Sequence, residues 1–301
     1  MKNSTSFKVI YDRDGLVEEL HEGIVSFGED NFLTPFYLRS CAKPLQASLL
    51  VDYGINLSPE ELAFCCGSHA GEDCHINIAK NLLKKFDLDE SMLKCGIHAP
   101  LSRSMQDKML LRKEQPSQLH NNCSGKHIGF LIICKENGWN TENYDSVNHP
   151  LQIQIKNKIN NMCEVSETYP ITTDGCGVPI LSMPLKNLVK GYEKLIKYPQ
   201  IINAIKDHPY VFGGENRTDM EIIQNTDNLI AKVGAGGLCA VLNIKENNAF
   251  VIKINDCSME ARRIALFELI KKLDWGNIEY DNNIRTIAGK IVGNISVKFD
   301  D

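Results

Sequence analysis

The chain has 301 residues, of which 43% are hydrophobic and 24% charged, with a formal net charge of -5. That is the composition of an ordinary folded protein with room for a sizeable core. The acidic balance, without any basic stripe, argues against a nucleic-acid binder. No apolar run approaches the length of a membrane span. The opening MKNSTSFKVIYDRDG has no apolar stretch or small-residue cleavage site of a secretory signal, so a cytoplasmic location is expected. The 11 cysteines then read as thiols rather than disulfides.

In chain order, FKVIYD, a turn at Asp12–Gly15 and a run ending near GIVSFG predict a β-hairpin. Helical periodicity follows over 44–53, 76–88, 126–137 and 151–163. The basic pairs Lys84-Lys85 and Lys271-Lys272 fall in amphipathic stretches and read as solvated helix faces. Towards the C-terminus NLIAKVG, LCAVLNI and AFVIKI are short β-rich runs, the last two joined by a hairpin loop over 245–248. Ser258 or Asp256 is placed to cap the helix MEARRIALFELIKKLD, whose basic last turn suits the helix dipole. Strands come from both ends and helices from the middle. This predicts an α/β (α+β) fold: one antiparallel sheet flanked by helices, in a single domain spanning 1–301, without repeats or linkers.

Five segments carry candidate chemistry. In Arg39-Ser40-Cys41-Ala42-Lys43-Pro44 a helical turn brings Ser40 and Lys43 to one face. Proline is tolerated only in a first turn, so the helix should start near Ser40. A hydroxyl there lies at a positive dipole end, and a desolvated lysine can deprotonate it; the same residues also read as an N-cap and a surface lysine. Cys66-Gly67-Ser68-His69-Ala70-Gly71-Glu72 reads as a tight turn exposing a serine, or as a loop serine capping the next helix. Asn121-Asn122-Cys123-Ser124-Gly125-Lys126-His127 puts a thiol at a helix mouth, where its pKa should be lowered; a core thiol and a solvated lysine are the plain alternative. In Asp174-Gly175-Cys176-Gly177 the flanking glycines suit close approach of a ligand. Cys123 and Cys176 together could bind a thiophilic metal such as zinc, although no standard zinc spacing is present. Finally Lys232-Val233-Gly234 ends an apolar strand. Its order after Ser40-x-x-Lys43 and Ser68 matches the three serine-hydrolase motifs of the β-lactamases and penicillin-binding enzymes.

Taken together RSCAKPLQ, CGSHAGE, CGIHAP, NNCSGKH, DGCGVP and KVGAGG, spread over 39–237, resemble the asparaginase II family, the rhizobial-type, inducible thermolabile L-asparaginases. The resemblance implies a fold like that of the serine β-lactamases and glutaminases and hydrolysis of L-asparagine to aspartate and ammonia; a homodimer is expected as the general default for such an enzyme. It implies two Ser–Lys pairs, Ser40 with Lys43 and Ser68 with Lys232. It further implies a zinc ion held at Cys123, Lys126 and Cys176, and a pocket lined by Arg39, His127, Asp174 and Gly175. Gly236 departs from the family, where an acidic residue is commoner, which bears on substrate preference. Glutaminase or β-lactamase activity, a non-catalytic amino-acid or metal sensor, and a thiol enzyme using Cys123 or Cys176 are the rival readings.

Overall fold

The computed structural model describes residues 5–300. The expected hairpin forms from β1 (Thr5–Arg13) and β2 (Leu16–Ser26), with a register shift between Tyr11 and Asp12. After β3 (Pro35–Tyr37) a short 3-10 turn over Arg39–Ala42 runs into α1 (Lys43–Asp52), with Pro44 in the first turn as its ring geometry requires. The helical middle consists of α2 (Pro59–Cys66), α3 (Asp73–Lys85), α4 (Arg103–Arg112), α5 (Ser124–Glu136) and α6 (Pro150–Met162). A small hairpin, β4 (Ile171–Thr173) and β5 (Pro179–Pro184), pairs with β3 in a three-stranded sheet. Then come α7 (Leu185–Lys194), α8 (Pro199–Asp207), α9 (Pro209–Phe212) and α10 (Thr218–Gln224). The chain closes with β6 (Leu229–Gly234), β7 (Leu238–Asn243), β8 (Asn248–Ile254), α11 (Met259–Lys272), β9 (Asn283–Arg285) and β10 (Ile291–Phe299).

The main sheet has seven strands in the order β6-β7-β8-β2-β1-β10-β9, all antiparallel. It is the predicted architecture, a mixed α/β fold with an antiparallel sheet flanked by helices. The C-terminal strand returns to the start of the chain, pairing Phe299 with Phe7. Ser258 caps α11 through its side chain, and Lys271 and Lys272 lie in the basic last turn.

β6, β7 and most of β8 are buried on both faces, which is why they read as continuous apolar runs. Along β7 the pleat sends Ala240 and Leu242 into the helical core and Cys239 and Val241 into a second core under α11. α5 is buried all round from Ser124 to Cys134; the apolar run from Ile128 to Cys134 accounts for its later turns, while its first turn buries Ser124, Lys126 and His127. It passes so close to α2 that a Cβ on Gly125 would lie 2.3 Å from the Phe64 carbonyl oxygen. That approach seats the first turn of α5, and Lys126 with it, in the protein interior. Gly125→Ala should therefore cost about 1–3 kcal/mol of stability, read as a fall in the midpoint of denaturant unfolding; an unchanged midpoint would show that the two helices can part freely.

Candidate active site

The Arg39–Ala42 turn is fastened to the open edge of the main sheet. Cys41 Sγ donates to Lys232 O of β6 at 3.1 Å, and Tyr192 Oη donates to Cys41 O at 2.8 Å. A Cβ on Gly234 would meet Cys41 Sγ at 2.9 Å, so glycine is what permits this docking. Arg39 holds the turn in a left-handed conformation, φ 48°, which non-glycine residues adopt rarely and mostly where surrounding contacts enforce it. Ser40 thereby comes out half-buried on the wall of a cavity of about 290 Å³, while Lys43 is 1% exposed.

Lys43 Nζ donates to Gly67 O at 2.7 Å and Asn122 O at 2.9 Å. Burial lowers its pKa to about 8; Cys123 opposes the shift, and the nearby Lys126 and Lys232 add to it. A neutral amine has two N–H donors and one lone pair. The two carbonyls match the donors, which leaves the lone pair for a proton from elsewhere. No hydrogen bond among the described residues joins Ser40 to Lys43, so the predicted pair shares a turn without yet being in contact.

Ser68 follows α2 and lines the same cavity. Its N–H is bonded to Phe212 O at 3.0 Å, and its Oγ is buried without a hydrogen-bond partner. The predicted partner Lys232 does not fill that gap. Fully buried, it donates to Asp219 Oδ2 at 2.8 Å and to Val233 O at 3.0 Å, and lies over the Phe212 ring. Asp219 also accepts from Val233 N at 3.3 Å. Burial opposes ionisation of Asp219, yet Lys232 and Arg217 together hold its carboxyl below the usual range. Sequence reading missed both Asp219 and Arg217, which lie in the turn-rich GGENRTD with no motif to mark them.

The thiol loop is built as a separate layer. Asn121 Nδ2 donates to Cys95 O at 2.8 Å and Gly96 O at 3.2 Å, and its Oδ1 accepts from Cys123 N at 2.9 Å. Cys123 becomes the N-cap of α5, and the β4–β5 turn brings Cys176 to Lys126, Sγ to Nζ 2.8 Å. A hydrogen bond from Cys176, with Lys43 and Lys126 nearby, holds the Cys123 thiol well below its usual range, whereas the Cys176 thiol is pushed up. Burial opposes a charge on Lys126, but Cys176, Cys123 and Asp174 outweigh it and keep the ammonium. His127 Nδ1 meets Tyr144 Oη at 2.6 Å, and burial holds its imidazole neutral. Asp174 Oδ1 accepts from Arg39 Nε at 2.7 Å and from Gly175 N at 2.9 Å. The arrangement therefore joins Arg39 to Asp174, Cys123 to Cys176 and Lys126, and both serines to one cavity.

The family model for L-asparaginase II matches residues 9–297. The chain belongs to the L-asparaginase II family. The family makes it an asparaginase-type amidohydrolase. No curated protein matches the chain. A solved structure of a putative β-lactamase from Bacteroides dorei DSM 17855 is similar at 12% identity and a TM-score of 0.44, covering 89% of this chain and 92% of that one; a likeness of that degree assigns no residue a role. No helix among the described residues is long and apolar enough to cross a membrane.

Two places in this L-asparaginase II chain offer metal donors. Cys123, Cys176 and Lys126 form a buried set with a thiolate at its centre, soft ligands of the kind zinc takes, provided Lys126 gives up its proton. Glu72, Cys74 and His75 form a second cluster that could hold an ion, their ligand atoms all within 4.8 Å of one another. There His75 Nδ1 already accepts from Glu72 N at 3.1 Å, and Nε2 faces Tyr210 O at 3.2 Å, so binding would displace one of these contacts.

The Lys232–Asp219 pair is the sharpest test of this geometry. Removing one member of a fully buried pair strands the other, at a cost of about 3–5 kcal/mol. Asp219→Ala should lose that much in denaturant unfolding; a loss below about 1 kcal/mol would place Lys232 in contact with water.

Proposed function

We propose that the protein hydrolyses L-asparagine to L-aspartate and ammonia through a Ser40 acyl-enzyme. What supports this reading is a cavity-lining Ser40 on the same turn as a buried Lys43 whose pKa is lowered to about 8. Lysines of that kind can act as bases near neutral pH.

Neutral Lys43 takes the Oγ proton of Ser40 as Oγ bonds to the side-chain carbonyl carbon of the substrate. Lys43 then passes the proton to the departing nitrogen, the C–N bond breaks, and ammonia leaves. Water, deprotonated by the same amine, attacks the aspartyl ester and frees Ser40. The first turn of α1 leaves the oxyanion to other donors on the cavity wall, because the Lys43 N–H is spent on Ser40 O and Pro44 has none. The N–H of Ser68 is spent on Phe212, which favours Ser40 over Ser68 as the acylated residue. The unpartnered Ser68 Oγ is suited to a proton relay between Lys43 and the leaving nitrogen. Lys232, tied to Asp219, contributes as a fixed positive charge that helps keep Lys43 neutral.

Asp174 is the partner for the substrate ammonium. Cys123, Lys126 and Cys176 would hold zinc, and the ion, when bound, would supply Lewis acidity for orienting polar groups of the substrate.

Ammonia release from L-asparagine, with L-glutamine alongside, tests the reading. Release from asparagine should exceed that from glutamine. Lys43 is the base only when neutral, so kcat/KM should rise with pH through about 8 and then level off. Ser40→Ala should lower kcat by roughly 10³-fold or more with the fold intact. A flat profile between roughly pH 6 and 9, or retention of more than about a tenth of the activity by the variant, would overturn the assignment.

A further inference from the structure

The hydrolytic scheme gives the two arginines of the cavity wall, Arg217 and Arg262, no contact with substrate. Arg217 lines the cavity with Ser40, Ser68 and Asn122. It is half-buried, and its Nε is buried with no hydrogen-bond partner. No ion pair among the described residues includes it. Arg39 pairs with Asp174; Arg262 also has an unpartnered buried Nε, but its Nη1 is held by Gly234 O and Leu238 O at 3.0 and 3.1 Å, whereas no hydrogen bond among the described residues holds the Arg217 side chain. Asp219, two residues on, is committed to Lys232. A guanidinium partly withdrawn from water and lacking an acceptor is costly unless a bound molecule supplies one.

The position of Arg217 is fixed before anything binds. It is the N-cap of α10, whose next turn is anchored by the buried Asp219–Lys232 pair. The preceding turn is wedged against the Ser68 loop, where a Cβ on Gly214 would meet Ala70 Cβ at 2.4 Å. The planar fork of arginine suits a carboxylate, and pre-set placement lowers the ordering cost of binding.

We propose that Arg217 binds the α-carboxylate of a free amino-acid substrate and so excludes asparagine whose carboxyl is blocked, as in a peptide or an α-amide. This rests on the asparaginase reading of the site. Arg217 is then a specificity-determining residue, and Arg39 is left to hold Asp174 for the ammonium.

The test compares L-asparagine with its α-amide, the side-chain hydrolysis product of each being followed by chromatography. Wild-type enzyme should favour asparagine by about 100-fold or more in kcat/KM. In Arg217→Gln that preference should shrink to within about tenfold, chiefly through a higher KM for asparagine. An unchanged preference, or an equal loss on both substrates, would overturn the proposal. Should the variant not fold, calorimetry on wild-type protein decides: L-aspartate should bind at least about tenfold more tightly than its α-amide, and equal affinities would sink the role of Arg217. Discrimination by calorimetry without turnover of either substrate would instead count against the asparaginase reading and for the carboxylate site.

Discussion

Three lysines are buried within one small region, and each has a different counterpart. Lys232 has a carboxylate, Asp219, in a fully buried pair. Lys126 has the thiols of Cys176 and Cys123. Lys43 has only two carbonyl oxygens. An ammonium bonded only to carbonyls is expensive in a dry interior, and burial with two further cations close by outweighs the opposing pull of Cys123. The chain resolves this by letting Lys43 lose its proton readily. The difference between the three surroundings therefore separates the base from the fixed charge and from the metal-ligand candidate, although all three begin as the same side chain.

The fold serves this separation by bringing each counterpart from a distant segment. Asp219 comes from α10, Cys176 from the β4–β5 turn, and the carbonyls of Gly67 and Asn122 from the ends of α2 and the thiol loop. The edge strand β6 is the frame on which these meet. It holds Lys232, receives Cys41 from the serine turn, and leaves Gly234 bare so that the turn can approach. The open edge that would otherwise invite unwanted pairing is thus covered by the site itself.

Much of this was legible in the sequence, for local reasons. The N-terminal hairpin and α11 carry their signals in a few neighbouring residues, alternation and a turn in one case, Ser258 and a basic last turn in the other. The motif residues were legible because their types are unusual together: two serines, buried lysines and glycine-flanked thiols. What was not legible is pairing across long separations. Nothing in the sequence says that Lys232 faces Asp219 rather than Ser68, or that Arg39 faces Asp174. Arg217 and Asp219 sit in a segment whose glycines and polar residues read simply as a turn. Likewise the pairing of Phe7 with Phe299 follows from sheet closure and leaves no local trace.

The central claim is that Ser40 carries the acyl group because Lys43 is the neutral amine. Acid-quenching the enzyme during turnover of L-asparagine, followed by peptide mapping in a mass spectrometer, reads the acylated residue directly. The account predicts an aspartyl adduct on the peptide that contains Ser40 and on no other. An adduct on Ser68, or on Cys123, would contradict it.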